Sequence, residues 1–245
     1  MTDPAVHVAR DQDTVAAQAA GRVLDLIRDA QTSRGEASVV LTGGSVARKV
    51  HTEIAQHAST EQVDWSQVTI WWGDERYVPS DDEDRNAGQA WEDLLQHLPL
   101  DPARVHAMPS EDDEHTDADA AAWAYAELLR DSVSSGEAWF DVLMLGIGPD
   151  GHCASLFPEH PEVRSEADVL AVHDAPKPPP TRISLGMKTL GRARHVLFVV
   201  TGEEKADAVA RSVSGEDPVG TPAAGPRGLS STEWYVDEPA ASLLP

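Results

Sequence analysis

The segment GIGPDGHCASLF, residues 146–157, combines the residue types needed for proton transfer beside a bound molecule. An ordinary histidine pKa of about 6.5 lets His152 take up or release a proton near neutral pH. Asp150 lies two positions earlier, and the three glycines let the backbone approach a ligand closely. The alternative is a structural histidine, which is the more common kind. The glycines and the aspartate favour a functional one, and we predict that His152 moves a proton in catalysis with Asp150 beside it.

Three further polar clusters follow apolar runs that resemble strands: LTGGS at 41–45, GDER at 73–76 and TGEEK at 201–205. In the first cluster, Gly43, Gly44 and Ser45 stand at a predicted helix start. Their free N–H groups and the helix dipole favour an anion such as phosphate there. The alternative is a plain tight turn in which Ser45 caps the helix. The turn is not a Walker A loop, because the G-x-x-x-x-G-K-[ST] spacing is absent.

Three cationic residues could complete a site for that anion. Arg76 lies in GDER, Arg182 follows the proline run, and Lys205 lies in the first turn of a predicted helix. Arginine binds phosphate through two parallel hydrogen bonds, whereas lysine acts as a point charge. Because the positive end of a helix dipole disfavours a cation, a bound anion would explain Lys205. The alternatives are a surface ion pair of Arg76 with Asp74 or Glu75, and solvated side chains for Arg182 and Lys205.

Two other kinds of site receive less support. GGSVA at 43–47 resembles the G-x-S-x-G turn of serine hydrolases, but its last residue is alanine and no Asp and His follow in a clear triad pattern. A zinc site would need His152, Cys153 and a carboxylate, and neither H-x-x-x-H nor paired-cysteine spacing is present. We therefore expect no metal.

Alternating helices and strands must position these clusters. Apolar residues at helical spacing predict helices, and short apolar or β-branched runs predict strands. The predicted order is helix 15–30, strand 38–42, helix 45–58, strand 68–72, strand 140–145, strand 195–200 and a helix with 206, 209, 210 and 213 on its apolar face. This alternation is typical of βαβ units in a mostly parallel sheet covered on both faces. The polar clusters then lie at the carboxyl ends of the strands, where such sheets bind ligands.

Weaker patterns suggest the remaining elements. One further helix face is marked by Trp91, Leu94, Leu95 and Leu98. Thr116 with Asp119 resembles a capping box at the start of another helix. The stretch APKPPPTRISLG, residues 175–186, is a proline-stiffened loop that enters a further strand. For the stretch from Gly215 onward, the sequence leaves two alternatives, a mobile lid or a surface loop.

Composition narrows the class of protein. The chain has 245 residues, enough for one large α/β domain or two small ones, and its 42 acidic against 19 basic residues give a net charge of −23. Such a charge argues against nucleic acid or anionic membranes as partners. The single cysteine excludes an internal disulfide and indicates a reducing compartment. Neither a signal peptide nor a membrane-spanning run is visible, so we expect a cytoplasmic protein.

The motifs together resemble the 6-phosphogluconolactonase family. The matching stretches are LTGGS, WWGDERYVP with DDEDRNAG, LGIGPDGHCASLFPEHP, APKPPPTRISL and VLFVVTGEEKADAV, which span about residues 38–213 in the family's order. The resemblance implies a single domain over 1–245 with a Rossmann-like three-layer α/β/α fold. Glucosamine-6-phosphate deaminases and ribose-5-phosphate isomerases share this fold. The activity implied is hydrolysis of 6-phosphoglucono-δ-lactone in the oxidative pentose phosphate pathway.

The resemblance also implies roles for individual residues. His152 is expected to activate the water that attacks C1, with Asp150 and Asp74 orienting the histidine, the water or sugar hydroxyls. The phosphate is expected to lie against Gly43, Gly44, Ser45, Arg76, Arg182 and Lys205. Backbone N–H groups of the 146–151 turn are expected to stabilise the oxyanion. No metal or organic cofactor is expected, because a lactone is already an activated ester. The family suggests a monomer or weak homodimer with a small-molecule partner.

Two rival functions use the same residues. A sugar-phosphate deaminase or isomerase would retain Asp74, where the deaminases place their proton-abstracting carboxylate. The deaminases also carry a glutamate five positions after the histidine, and here that position is Phe157. A non-enzymatic sugar-phosphate sensor is the second rival, and the retained His152 argues against it.

Overall fold

A computed structural model gives the fold of residues 3–57, 62–133, 136 and 138–245. The strands in chain order are β1 Ala5–Ala9, β2 Ala37–Leu41, β3 Val68–Trp72, β4 Asp74–Arg76, β5 Phe140–Leu145, β6 Val169–Val172, β7 Arg182–Leu185, β8 Ala193–Val200 and β9 Ser231–Asp237. Six of them form a central sheet in the order β1-β9-β8-β5-β2-β3. Every neighbouring pair in this sheet is parallel. The predicted α/β, Rossmann-like fold with a mostly parallel central sheet is therefore confirmed.

Helices connect most of these parallel strands. They are α1 Gln12–Arg34, α2 Ser45–Gln56, α3 Asn86–Asp93, α4 Ala118–Ser132, α5 Met187–Leu190 and α6 Ala206–Ser214. Helix α1 begins where the Asp11 side chain accepts a hydrogen bond from the Thr14 N–H at 2.8 Å, and it ends at Gly35 in a left-handed conformation. The predicted helix 45–58 corresponds to α2, and its last predicted residue, Ala58, lies outside the described residues. None of the described helices is both long and apolar enough to cross a bilayer.

A small antiparallel sheet, in the order β4-β7-β6, was not predicted as such. The strand after the proline-stiffened loop was expected, and it is β7. Gly73 joins the two sheets: its N–H donates to the Leu41 carbonyl at 3.0 Å, and its own carbonyl accepts from the Leu185 N–H at 2.9 Å. This glycine sits between β3 and β4, so the small sheet begins at the carboxyl edge of the central one. This second sheet carries both predicted site arginines, Arg76 and Arg182.

Two local predictions are wrong. The helix expected through Trp91 and Leu98 is interrupted at Leu94, whose φ of −139° and ψ of −62° end α3, and Trp91 is 55% exposed rather than on a buried face. A short 3-10 turn, Leu95–His97, follows instead. The cap of α4 is Asp117, which accepts from the Ala120 N–H at 2.8 Å, and not Thr116. Aspartate caps a helix as well as threonine does, so the sequence pattern placed the cap one residue early.

The C-terminal stretch is neither a lid nor wholly a surface loop. Thr221 and the 3-10 turn Pro222–Ala224 are buried, and β9 inserts into the central sheet between β1 and β8. Trp234 of β9 is fully buried and stacks on Phe198 of β8 with ring centroids 3.9 Å apart. Burial of two large aromatic rings stabilises this end of the chain by several kcal/mol, about 1.5–3 kcal/mol for each fully buried large side chain.

Candidate active site

The polar clusters predicted at the strand ends meet in one cavity of about 320 Å³. It lies at the carboxyl edge of the central sheet, between that sheet and the small one. The predicted residues lining it are Gly43, Gly44, Ser45, Asp74, Arg76, His152, Arg182 and Lys205. Asp150 does not line it but contacts His152 directly. Five segments that are far apart in sequence are therefore within reach of one small ligand.

His152 is held in place by the glycine-rich turn that follows β5. Its Nδ1 lies 2.5 Å from Oδ1 of Asp150, and its ring centroid is 4.7 Å from that of Phe157. A Cβ atom on Gly148 would overlap both the His152 ring and the Asp150 carboxylate, so this position requires glycine. Because an ionised carboxylate can only accept, Nδ1 carries the hydrogen and Nε2 of the neutral ring has a free lone pair. That nitrogen is the one able to accept a proton.

The charge on Asp150 is stabilised despite its partial burial. Burial alone would raise the pKa of Asp150, but the hydrogen bond and charge of His152 together lower it below its ordinary value. The nearby Lys177 ammonium lowers the same pKa further. The carboxylate is therefore ionised at every pH near neutrality and orients the imidazole throughout that range.

The predicted oxyanion role of the glycine-rich turn is wrong for two of its amides. The Gly148 N–H donates to the His152 carbonyl at 2.9 Å, and the Gly151 N–H donates to the Gly148 carbonyl at 3.0 Å. The φ of +95° at Gly151 is the left-handed backbone that closes this turn. These two N–H groups build the turn that holds His152, so they do not point at a ligand.

The GGS turn opens helix α2 toward the cavity. Gly44, with a φ of +99°, is the N-cap and provides no side chain to satisfy the first N–H groups of the helix. The predicted alternative, in which Ser45 caps the helix, is wrong because Ser45 is already the first helical residue. Its exposed side chain lies on the cavity wall. The uncapped N–H groups and the helix dipole make this wall attractive to an anion.

Arg76 and Arg182 lie directly opposite each other in the β4–β7 pair. Like charges opposite each other in an antiparallel pair destabilise a sheet. In the part of the chain that the structure describes, neither guanidinium forms an ion pair with a carboxylate. Arg182 is only 6% exposed and donates to the backbone carbonyls of Lys177, Pro178 and Pro179 at 3.2–3.3 Å. The alternative of an ion pair between Arg76 and Asp74 or Glu75 is therefore not formed among the described residues, and Arg182 is not a solvated loop residue.

Burial makes the charge on Arg182 costly. Loss of hydration lowers the pKa of Arg182, the charge of Asp74 opposes this change, and the charge of Arg76 adds to it. A guanidinium stays protonated at all ordinary pH values, so the unfavourable energy cannot be relieved by losing the proton. An anion bound between the two arginines would relieve it.

A third cationic side chain, Lys205, lies beside the glycine-rich turn. The Lys205 ammonium donates to the Ile147 carbonyl at 3.0 Å. Burial lowers the pKa of Lys205, and the charge of Lys177 lowers it further. Lys177 also lines the cavity but was not among the predicted residues. Lys177 lies in the PKPPP motif of the proline-stiffened loop, and this motif was the sequence signal that could have identified Lys177 as a site residue.

The two predicted acids occupy separate positions. Asp74 is 7% exposed, lines the cavity and accepts a hydrogen bond from the Ser155 hydroxyl at 2.7 Å. Asp150, by contrast, contacts His152. The sequence left the roles of the two acids open. In the structure Asp150 contacts the imidazole, whereas Asp74 lines the cavity. Ser155 was missed, although it lies in the quoted CASLF stretch.

Comparisons with known proteins place these observations in a family. The sequence model described as glucosamine-6-phosphate isomerases/6-phosphogluconolactonase matches residues 10–234. The chain is 49% identical over 248 residues to the 6-phosphogluconolactonase of Streptomyces coelicolor, covering 99% of this chain and 95% of that protein. The chain belongs to this family. A 6-phosphogluconolactonase from Mycobacterium tuberculosis is 44% identical over 244 residues, with 98% of both chains covered.

Solved structures agree with the fold. The structure of 6-phosphogluconolactonase from Thermotoga maritima superposes with a TM-score of 0.84 at 23% identity, covering 96% of this chain and all of that one. The family also contains the isomerases, so membership alone leaves two chemistries. Phe157 bears on that choice: it is 1% exposed, and its ring packs against His152 and lies 5.8 Å from the Arg182 guanidinium. The position where the deaminases carry a glutamate is therefore apolar and closed here.

Proposed function

We propose that this protein hydrolyses 6-phospho-D-glucono-1,5-lactone to 6-phospho-D-gluconate, a step of the oxidative pentose phosphate pathway. One observation carries the proposal: Arg76 and Arg182, neither of which forms an ion pair with a described carboxylate, share a cavity with a histidine held by a carboxylate. The first feature suits a phosphate and the second suits activation of water. The 49% identity to a 6-phosphogluconolactonase supports the same reaction.

The phosphate group binds at the end of the cavity formed by the GGS turn and the small sheet. Arg76 and Arg182 supply N–H donors from one side, and the amides of Gly44 and Ser45 supply them from the helix start. Lys205 adds a further positive charge. Each hydrogen bond to a charged group contributes about 1.5–3 kcal/mol. Because these groups bind a part of the substrate that does not react, they orient the lactone ring toward His152.

His152 then acts as general base through Nε2. It takes a proton from a water molecule as the oxygen attacks C1, and the C1 carbonyl becomes a tetrahedral alkoxide. The Asp150 carboxylate stabilises the imidazolium that forms. When the tetrahedral intermediate collapses, the bond from C1 to the ring oxygen breaks, and the imidazolium returns its proton to that oxygen. The products are the free carboxylic acid, which ionises, and the opened hydroxyl chain.

A direct assay tests the proposal. Hydrolysis of the phosphorylated lactone, corrected for the spontaneous reaction, should be accelerated by the wild-type protein. His152→Ala should lose about 10²–10⁴-fold in kcat, the usual contribution of a general base. His173→Ala is the matched control, because His173 is 54% exposed and pairs with Asp119 outside the cavity. An unchanged rate in His152→Ala would remove this histidine as the base.

A deaminase activity is the second candidate, because Asp74 lines the cavity where a proton-abstracting carboxylate would stand. Release of ammonia from glucosamine 6-phosphate is the corresponding assay. We expect none, since the buried Phe157 ring occupies the position of the missing acid. Turnover of glucosamine 6-phosphate at a rate above that of the lactone would reverse the assignment.

A further inference from the structure

Asn86 is buried at the meeting point of three parts of the site. It is the first residue of α3, is 3% exposed and is the only asparagine in the 245-residue sequence. Its Nδ2 donates to the Asp74 carbonyl at 2.9 Å, and its Oδ1 accepts from Nη1 of Arg76 at 2.8 Å. Since a guanidinium can only donate and a carbonyl can only accept, this orientation of the amide is the one that satisfies both partners.

The GGS turn closes directly on the same amide. A Cβ atom on Gly43 would overlap the side chain of Asn86, so a glycine here lets the turn approach. Asn86 also lines the cavity itself. One side chain therefore ties strand β4, the start of α3 and the GGS turn to one another.

Arg76 depends on this contact for its position. Its Nη1 has two acceptors, the Asn86 Oδ1 and the Asp84 carbonyl at 2.5 Å, while its buried Nε has no hydrogen-bond partner among the described residues. Arg182 lies opposite and repels it. Of the two acceptors, the Asn86 amide is the one supplied by a buried side chain. A long flexible guanidinium needs such an anchor to stay in one conformation.

Glu75 in turn fixes Asn86. Its fully buried carboxylate accepts the N–H groups of Asn86 and Ala87 at 2.8 Å and of Arg76 at 2.9 Å. The start of α3 is thus held by an acid whose ion pair, among the described residues, is with Arg85 and not with the Arg76 guanidinium. The two groups that accept hydrogen bonds from the guanidinium, the Asn86 amide and the Asp84 carbonyl, are both neutral. An amide orients the arginine without neutralising its charge, whereas a carboxylate at position 86 would do both.

We propose that Asn86 is a positioning residue that aims the Arg76 guanidinium at the substrate phosphate and, by being uncharged, leaves the full charge of that arginine available to the anion. This inference rests on the proposed function, in which Arg76 binds the phosphate. It adds a separate requirement, that the effect of Asn86 is exerted through Arg76.

A double-mutant cycle tests that requirement. Asn86→Ala should raise KM for the phosphorylated lactone about 10- to 100-fold, the range expected for one hydrogen bond to a charged group. The KM for unphosphorylated glucono-1,5-lactone should change less than threefold, roughly 0.65 kcal/mol by the usual conversion. In an Arg76→Met background, Asn86→Ala should add almost nothing. Full additivity of the two substitutions, or equal rises for both lactones, would overturn the proposal.

Asn86→Asp separates the charge effect from the loss of structure. The aspartate has the same shape and keeps an acceptor for Arg76, but it cannot donate to the Asp74 carbonyl. A purely structural role therefore predicts KM defects of equal size for the phosphorylated and the unphosphorylated lactone. The proposal predicts a KM defect for the phosphorylated lactone at least as large as that of Asn86→Ala, with a change of less than about threefold for glucono-1,5-lactone, because the new carboxylate neutralises the guanidinium. A milder defect than that of Asn86→Ala, or equal defects for both lactones, would refute the charge argument. Circular dichroism and urea unfolding establish that each variant is folded.

The single asparagine allows a test that needs no catalysis. Selective ¹⁵N labelling of asparagine gives one side-chain amide signal in the NMR spectrum, that of Asn86. Inorganic phosphate should shift this signal in the wild type and leave it unshifted in Arg76→Met. A shift of equal size in both proteins would overturn the inference. Because the titration uses phosphate alone, it distinguishes failure of this inference from failure of the proposed lactonase activity.

Discussion

Arg182→Met is the substitution that tests the phosphate site most sharply. Methionine retains an unbranched apolar stem beside Phe157 and removes the guanidinium, whose hydrogen bonds to the described residues go to the backbone carbonyls of residues 177–179. A hydrogen bond to a charged group is worth about 1.5–3 kcal/mol. Arg182 is only 6% exposed, so solvent screens it weakly and the upper half of that range applies. A loss of about 2–3 kcal/mol corresponds to a rise in KM of about 30- to 150-fold.

The assay compares two lactones and two arginines. KM for the phosphorylated lactone should rise by that factor in Arg182→Met, whereas KM for glucono-1,5-lactone should stay within about threefold, since this lactone has no phosphate to lose. Arg192→Met is the matched control, because Arg192 stacks over Trp139 at 4.2 Å, away from the cavity. Equal rises for both lactones, or no rise for the phosphorylated one, would refute the assignment of Arg182 to the phosphate.

Three other predictions follow from single contacts. Gly148→Ala should lower kcat by at least about tenfold while KM changes little, because a Cβ atom at this position displaces the His152 ring. Steady-state kinetics measures both constants, and an unchanged kcat would contradict the close contact between Gly148 and His152. Ser45→Ala should keep most activity, and full inactivation would revive the serine-nucleophile alternative. Burial lowers the pKa of His51 to about 4. As the pH falls, His51 is therefore protonated at a higher pH in the unfolded chain than in the folded protein. The free energy of unfolding should then drop by about 2–4 kcal/mol between pH 6.5 and pH 4, and urea titrations of His51→Leu should show a flatter pH dependence than the wild type.

The sequence was sufficient for the features that depend on periodicity and on strand ends. Residues 140–145 form β5 with the predicted bounds, and the helix predicted from Val15 to Ala30 lies inside α1. In a parallel sheet the carboxyl ends of neighbouring strands meet at one edge, so predicting the strands was enough to predict that their polar clusters converge. The cavity brings together the GGS turn, Arg76 and His152 for this reason.

Contacts between distant segments could not be predicted in the same way. The Arg76–Arg182 pairing exists because β4 and β7 form an antiparallel pair in a separate sheet, and no local pattern in a three-residue strand indicates its partner. Asn86 lies in DDEDRNAG, whose acidic composition is typical of an exposed surface, yet the helix start turns it inward. Asp74 and Asp150 each follow the end of a predicted strand, and the fold shows that Asp150 is the one that contacts His152.

The same limitation explains the wrong local predictions. A single-sequence pattern places Leu94 on a continuous helix, but the chain there turns to bury Leu94 and Leu95 and leaves Trp91 exposed. The strand β9 was missed because its sequence, STEWYVD, carries polar residues such as Glu233. That glutamate is buried and bound by Arg22 of α1 through a hydrogen bond of 2.8 Å. Tertiary partners of this kind make polar strands possible, and they are not visible in a local window.

In the proposed reaction, one cavity holds the phosphate at Arg76 and Arg182 and presents the lactone carbonyl to His152. A crystal structure of the complex with the product, 6-phosphogluconate, would show whether it does. We expect phosphate oxygens within hydrogen-bond distance of both guanidinium groups and the C1 carboxylate beside Nε2 of His152. A phosphate bound next to His152, or a product bound outside this cavity, would contradict it.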